Sequence, residues 1–473
     1  MDRRVAARVR LDAALVRAWA AAAVQRLRDV APRIDALNVF PVADADTGQN
    51  VVCTLAGGLA AVETSPTDDL SATAHLLATG ALREARGSSG VIVSGWFAGL
   101  AVGLVEDAPG EPTRLAGALA SAAVGARQAV ADPWPGTVLE VADQVAATVR
   151  RQAADPHLPL ADLLPGPLDA VRARLAETSA HHPVLRSAGV VDAGACALLV
   201  VLEVLAALLA AEPPDRAGAW LPPPSSRPEP GPEPSGSGGA FEVMLHVTVE
   251  VDLTRLASTG AAAAVTGLGD QWRTHVHTDD PVTALALVAP DELRIGLVRA
   301  VTGGAAGVVV TADTGLAAWY AAAGAAVVVP GGAASPDDLR AVVSLVGGGL
   351  SGDRGHDGTG RYTLATDPEL AAQVGAMTAD PVRAAVACTA LDEQADVEAA
   401  LRRVRTAQTD DADPTAALTR LLAGSAEPGE VLTVVPRTGF DPAGVRALAA
   451  AHGLELVLVG PATTGPVWRL GVD

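Results

Sequence analysis

An all-helical N-terminal domain followed by two α/β domains is the multidomain fold class this sequence predicts, and three observations predict it. Apolar residues recur at helical spacing through long Ala- and Leu-rich segments from Leu11 to about Ala211. Beyond residue 239 the spacing changes to two, in runs such as "FEVMLHVTVEVDL" and "QWRTHVHTDD". Between the two regimes lies "EPPDRAGAWLPPPSSRPEPGPEPSGSGG", residues 212–239, whose composition cannot bury enough apolar surface to repay the entropy of ordering. With 473 residues, 49% hydrophobic and 19% charged, the chain is long enough for two or three separate cores.

The helical segments run over 11–30, 71–86, 91–105, 113–131, 138–152, 168–178 and 193–211, punctuated by glycine, proline and polar residues. They define a first domain over residues 1–211. Residues 212–239 read as a flexible, partly extended linker. Residues 240–304 read as a small α/β middle domain in which "PVTALALVAP" is a short helix between strands. In the last domain, residues 305–473, "GVVVTA", "AAVVVPGG" and "VLTVVP" are short apolar strands, and "DTGLAAWYAAAG", "SPDDLRAVVSLVG" and "DPAGVRALAAAHG" are the helices after them. Alternating βα units favour a sheet covered by helices. The Gly- and Asp-rich stretch at 347–362 reads as a mobile loop.

The formal net charge of −20 argues against nucleic acid and anionic membrane surfaces as partners, because both attract basic patches. A nucleotide would have to be held through a metal ion and backbone N–H groups. Cys53, Cys196 and Cys388 are far apart and odd in number, so no disulfide framework is expected and the compartment reads as a reducing cytoplasm. The N-terminus is basic and then apolar, but polar residues interrupt it and no clear cleavage site follows. The best membrane candidate, "CALLVVLEVLAALLAA" at 196–211, falls short of the ~20 residues a span needs and carries Glu203 midway. It reads as a buried core helix, and no stable membrane insertion is expected.

Chemistry is suggested first by "NVFPVADADTGQN", residues 38–50. Pro41 and its small neighbours prevent a helix before Asp44, so Asp44 and Asp46 stand in an extended or turn conformation where residues two apart can point the same way. Two carboxylates on one side repel unless a cation lies between them, and a hard cation such as Mg²⁺ takes oxygen ligands while leaving room for phosphate. Thr47, Gly48, Gln49 and Asn50 then start a helix, whose open N–H groups and positive dipole end favour an anion. The plainer alternative makes Asp46 or Thr47 an N-cap and Asp44 a solvated turn residue. Three further stretches each read alone as a turn entering a helix: "REARGSSGVIV" at 83–93, "PWPGTVLEV" at 133–141 and "SAGVVDAGACALLV" at 187–200, with Asp192 most simply an N-cap. His275 and His277 alternate on a strand and so share a face, as a metal pair could; a polar sheet face is the alternative.

The joint order of these motifs, Asn-x-Phe-Pro-Val-x-Asp-x-Asp-Thr-Gly-x-Asn, Ala-Arg-Gly-x-Ser-Gly, Gly-Thr and Gly-Val-Val-Asp-Ala-Gly, resembles the dihydroxyacetone kinase L-subunit family, and most closely the ATP-binding subunits of bacterial fatty acid kinases. "THVHTDDP" at 274–281 and the C-terminal "VWRLGVD" extend the resemblance over nearly the whole chain. It implies a barrel of amphipathic helices that binds ATP through two Mg²⁺ ions. Asp44 and Asp46 would be metal ligands, with Asn38 in the position of a third; Thr47, Gly48, Gln49, Asn50 and Gly87, Ser88, Ser89, Gly90 would face phosphate; Thr137, Asp192 and Gly194 would lie near the nucleoside. In the middle domain His275 and His277 would bind Zn²⁺, with His246 substituting for a cysteine common in the family. Two departures stand out: Ala45 replaces a glycine between the aspartates, and Pro135 replaces an acidic residue before Gly-Thr.

The function that follows is an ATP-dependent kinase phosphorylating a fatty-acid carboxylate presented by a separate lipid-binding protein. No catalytic side chain is assigned, since a carboxylate acceptor is already ionised and needs no base. The alternatives are a glycerone-type kinase acting on a small hydroxyl substrate and a nonenzymatic ATP-binding regulator. The α/β part is expected to dock the partner and to form a homodimer.

Overall fold

The first helix shows how the N-terminal part assembles. In the computed structural model, which describes residues 9–105, 110–155, 157–224, 239–301, 307–349, 362–392, 395–423, 431–441 and 443–472, α1 (Ala13–Asp35) opens on Asp12, whose carboxylate accepts from the Leu15 N–H at 2.9 Å. That bond satisfies one of the orphan donors of the first turn, and Leu15, Trp19, Leu27 and Ile34 are then buried. The same pattern gives α2 (Thr47–Thr64), α3 (Leu70–Arg83), α4 (Gly87–Val105), α5 (Glu111–Gln128), α6 (Val138–Gln152), α7 (Pro165–Ser179), α8 (Pro183–Ala188) and α9 (Ala193–Leu209). From α1 to α7 each helix packs on the next, α7 packs on α9, and α9 returns to α1, so the helices close into a ring. One core fills it, with Trp19, Leu55, Leu77, Phe97, Leu119 and Leu199 among its members.

Two apolar helices show why hydropathy alone misleads here. Among the described residues one helix is long and apolar enough to cross a membrane, over Gly87–Leu104 in α4, but 72% of that window is buried. In α9 the mid-helix Glu203 is surrounded by donors: Arg172 Nη1 at 2.7 Å, the Gly218 N–H at 2.7 Å and Trp220 Nε1 at 2.9 Å. A buried carboxylate is tolerated when such bonds replace water.

The chain forms two compact units. The first joins the helical ring to residues 249–276, and the second comprises residues 239–248 and those from 277 onward. In chain order the later elements begin with β1 (Phe241–Val247), α10 (Leu253–Ala257), β2 (Ala261–Leu268) and β3 (Gln271–Thr278). In the first unit β2 packs against α3, α4 and α5, and the Val265 N–H donates to Ala129 O at 2.7 Å.

The second unit continues with α11 (Pro281–Leu285), β4 (Leu293–Ala300), β5 (Gly307–Val310), α12 (Thr314–Ala322), β6 (Ala325–Pro330), α13 (Pro336–Gly349) and β7 (Tyr362–Ala365). Strand order there is β1-β4-β6-β5-β7, antiparallel from β1 to β6 and parallel from β6 to β7. After α14 (Pro368–Val374), α15 (Pro381–Asp392) and α16 (Val397–Arg403) come β8 (Arg405–Thr409), α17 (Thr415–Ala423), β9 (Val431–Pro436), α18 (Ala443–Ala451), β10 (Glu455–Leu458) and β11 (Trp468–Val472). Their strands make a separate mixed sheet, β10-β9-β11-β8.

Three boundaries differ from the sequence reading. The division expected near residue 305 separates β4 from β5 and β6, yet β4 pairs with β6 from Ile295↔Pro330 to Val298↔Val327, so one sheet spans it. Residues 249–276 belong with the helical unit rather than with a middle domain. The stretch 212–224 is anchored, because Leu221 is buried, Trp220 packs on the helical core and Arg33 Nε donates to Pro222 O at 3.0 Å. The rest of the expected linker, 225–238, and most of the expected loop at 347–362 lie outside the described residues.

Helices α4 and α5 approach through glycine. A Cβ at Gly99 would lie 2.2 Å from Ser121 O, and one at Gly125 would lie 2.3 Å from Gly95 O. Gly117, on α5, has nothing within 4 Å of its Cβ position. Urea denaturation should therefore show Gly99→Val destabilised by about 1–3 kcal/mol or more, the cost of overpacking. Gly117→Ala should be stabilised by roughly 0.5–1 kcal/mol through helix propensity.

Candidate functional site

The N-terminus of α2 is capped from another helix. Asp35, the last residue of α1, accepts at Oδ1 from the Gly48 N–H at 2.6 Å and the Gln49 N–H at 3.3 Å. Asp46 occupies the N-cap position of α2 but makes no side-chain cap bond; its Oδ1 accepts from Asn50 Nδ2 at 2.7 Å. Asp44 Oδ1 accepts from Asn38 Nδ2 at 2.7 Å. The plainer reading of Asp46 as a side-chain cap therefore does not describe the loop. The expectation of open N–H groups from Thr47 to Asn50 also needs correction, because Gly48 and Gln49 donate to Asp35 and the Asn50 N–H donates to Asp46 O at 2.8 Å. The helix dipole favours a carboxylate at this end, and the one bonded to its N–H groups is Asp35. Burial pushes the Asp35 carboxyl up to about 6, against the pull of the Gly48 and Gln49 bonds and with a further push from Asp46.

Ala45, between the two aspartates, has φ 58°. This left-handed conformation costs a non-glycine residue roughly 1–2 kcal/mol. It stands where the resembling family has glycine, so the backbone turn survives at the expense of strain.

The loop before α4 rests on α2. Gly87 has φ 60°, and a Cβ there would lie 2.4 Å from Asn50 Nδ2, the group that holds Asp46; a Cβ at Gly90 would lie 2.6 Å from Thr54 Oγ1. Glycine is what allows the start of α4 to lie against Asn50, the residue that holds Asp46, and Thr54. Three buried polar atoms in these segments have no hydrogen-bond partner: Asn38 Oδ1, Arg86 Nη2 and Ser89 Oγ. Such atoms are costly unless something satisfies them. The amide oxygen suits a hard cation, and the guanidinium and hydroxyl suit an anion. Arg86 lies in a motif the sequence singles out, yet nothing in its spacing marks it as unpaired.

The remaining expected residues meet at the starts of α6 and α9. Asp192 caps α9 by accepting from the Ala195 N–H at 2.7 Å and also accepts from the Val138 backbone. A Cβ at Gly194 would be 3.3 Å from both Asp192 Oδ1 and Val138 Cβ. Thr137 Oγ1 donates to Trp134 O at 2.9 Å. Burial pushes the Asp192 carboxyl up to about 6, with both backbone bonds opposing. His182 links this cluster to the first. Its ring lies 4.0 Å from that of Phe40 and 5.2 Å from that of Trp134. Burial, then Arg186, lowers its pKa. A histidine following a histidine gave no signal of this.

The three histidines expected near a metal are all buried, His275 in the first unit and His246 and His277 in the second. Within the first unit His275 Nδ1 is 3.1 Å from Ala262 O. Within the second, Glu242 is ion-paired to Arg299, and His246 lies near Asp338, whose carboxyl burial would raise but Ser335, Arg294 and His246 hold low.

Residues 41–207 match the family model of the DAK2 domain, and this segment is accordingly a dihydroxyacetone kinase L-subunit-like, kinase-related domain. The chain is 37% identical over 191 residues to Protein YloV of Bacillus subtilis strain 168, a match covering 40% of this chain and 34% of that protein. It is 34% identical over 179 residues to an uncharacterized protein of Staphylococcus epidermidis strain ATCC 12228, with 38% and 32% covered. An uncharacterized protein of Staphylococcus saprophyticus is 33% identical over 177 residues, with 37% and 32% covered. The matches thus span about a third of the length of these curated relatives.

The raised carboxyl of Asp192 predicts a pH dependence of stability. Its contribution is fully present below the unfolded pKa near 3.8 and is lost as pH rises through about 6. Asp192→Asn keeps an acceptor for the Ala195 N–H without the charge. Between pH 4 and pH 7 the melting temperature of the wild type should fall relative to that of the variant.

Proposed function

We propose that the chain is the ATP-dependent subunit of a two-protein kinase that phosphorylates a fatty-acid carboxylate presented by a separate lipid-binding protein. The observation that carries this reading is that Asp35 caps α2, which leaves Asp44 and Asp46 fixed by Asn38 and Asn50 beside the 86–90 loop. Asn38, Asp44 and Asp46 would hold Mg²⁺, two ions by the family resemblance. When bound, the cation neutralises phosphate charge. Gly87, Ser88, Ser89 and Gly90, with Arg86, would meet the phosphates, while Thr137, Asp192 and Gly194 would border the nucleoside. In the transfer a bond forms between the carboxylate oxygen and the terminal phosphorus as the bond to the departing ADP oxygen breaks. No proton moves, so alignment and charge neutralisation suffice without a base.

In this reading the protein acts in the cytoplasm as a homodimer, and the second unit docks the lipid-binding partner. His275 and His277 would contribute ligands to a structural Zn²⁺ site, completed by His246 or another side chain. Elemental analysis of untagged protein should find about one zinc per chain, lost in His277→Ala. Zinc near zero in the wild type removes this part of the reading.

Calorimetric titration tests the nucleotide site. Asp44→Asn and Asp46→Asn should each lose measurable Mg-ATP binding while melting like the wild type. Wild-type binding by both variants would mean that these carboxylates hold no metal. With Mg-ATP and free fatty acid alone the protein should form little acyl phosphate, and the lipid-binding partner should restore turnover. Rapid, partner-independent phosphorylation of a small hydroxy ketone would replace this acceptor with a glycerone-type substrate.

A further inference from the structure

Arg273 lies on β3, beyond the residues that match the DAK2 domain, yet inside the helical unit. It is 9% exposed. Nη2 donates to Arg83 O at 2.6 Å and Nε donates to Ala85 O at 3.3 Å. Arg83 ends α3, and Ala85 precedes Arg86 and the positive-φ Gly87. One guanidinium thus takes carbonyls at the negative end of α3, just before Arg86 and the first turn of α4, where a helix leaves its acceptors unsatisfied.

This arrangement is costly as mere packing. Among the described residues Arg273 forms no ion pair, and burial pushes its pKa down to about 10, with Glu84 opposing the fall and Arg86 adding to it. Two guanidiniums therefore stand close enough to repel, and Arg86 Nη2 is buried without a partner. Glu84 offsets Arg273 more than Arg86 opposes it, but Arg86 Nη2 has no such partner, and a buried cation so placed is disfavoured unless an anion meets it. The helix start they flank is the one whose Ser89 Oγ also lacks a partner.

We propose that Arg273 is a positioning residue for the phosphate end of the nucleotide site, fixing the path of residues 83–87 and adding positive charge behind the loop. The inference rests on the reading of residues 86–90 as phosphate contacts. It extends the nucleotide-binding unit to residue 276, so a chain ended at residue 211 would hold ATP more weakly than the full protein.

The test compares Mg-ATP with adenosine, a phosphate-free probe, by calorimetry and competition on the full-length wild type, Arg273→Lys and Arg273→Met. Losing hydrogen bonds from a charged group should weaken Mg-ATP binding by about tenfold in Arg273→Lys and toward a hundredfold in Arg273→Met. Adenosine affinity should stay within about twofold, because the base and ribose do not meet the loop. Should Arg273→Met not fold, Arg273→Lys carries the comparison. Equal losses for both probes would make Arg273 merely structural, and unchanged Mg-ATP binding in both variants would also overturn the proposal. A wild type that binds no Mg-ATP would instead sink the underlying reading of the site.

Discussion

The bond from Asp35 to the start of α2 is the interaction on which the rest of the site depends. A helix N-terminus needs acceptors, and the sequence offers three carboxylates near this one: Asp35, Asp44 and Asp46. Because Asp35 takes the Gly48 and Gln49 N–H groups, the nearer aspartates are not consumed as caps. They are held by amide side chains instead, Asn38 on Asp44 and Asn50 on Asp46. An amide donor fixes a carboxylate without neutralising it, so the loop concentrates negative charge in a defined geometry. That is the electrostatic condition a divalent cation relieves.

Close approach is the second constraint. Gly87 lets the start of α4 lie on Asn50, and Gly99 and Gly125 let α4 and α5 pack at backbone distance. Since Gly87 begins α4, residues 87–90 are the first turn of the helix at the center of the α3–α4–α5 packing. Ala45 works against this economy, holding with a methyl group a conformation that suits glycine.

Much of this was legible in the sequence, and what was not has physical reasons. The long helices follow from apolar periodicity, and a kinase-related domain from motif order, now matched over residues 41–207. Strand β2, "AAAAVTGL", was missed because alanine carries no β-branched signal; its pairing partner and the packing of α3, α4 and α5 decide its state. The boundary near residue 305 failed because strand pairing between β4 and β6 is nonlocal. Asp35 was invisible as a cap, since a cap supplied from the preceding helix has no local spacing. His182 and Arg273 acquire their roles only from three-dimensional contacts, with Phe40 and Trp134 in one case and the end of α3 in the other.

A chain of formal charge −20 that gathers carboxylates near the proposed phosphate site faces an evident electrostatic problem. Long-range attraction would not bring an anionic nucleotide to it, so the solution would have to be local and short-ranged. The fold supplies two such terms side by side: the Arg86 guanidinium and, on β3, the buried Arg273. Their mutual repulsion is tolerable only in a framework that holds them together, and the closed ring of helices, with β2 packed on α3, α4 and α5, provides that framework. The acidic side, Asp44 and Asp46, and the basic side, Arg86 and Arg273, therefore complement each other around the 86–90 loop, one matched to a cation and the other to the phosphate that cation would accompany.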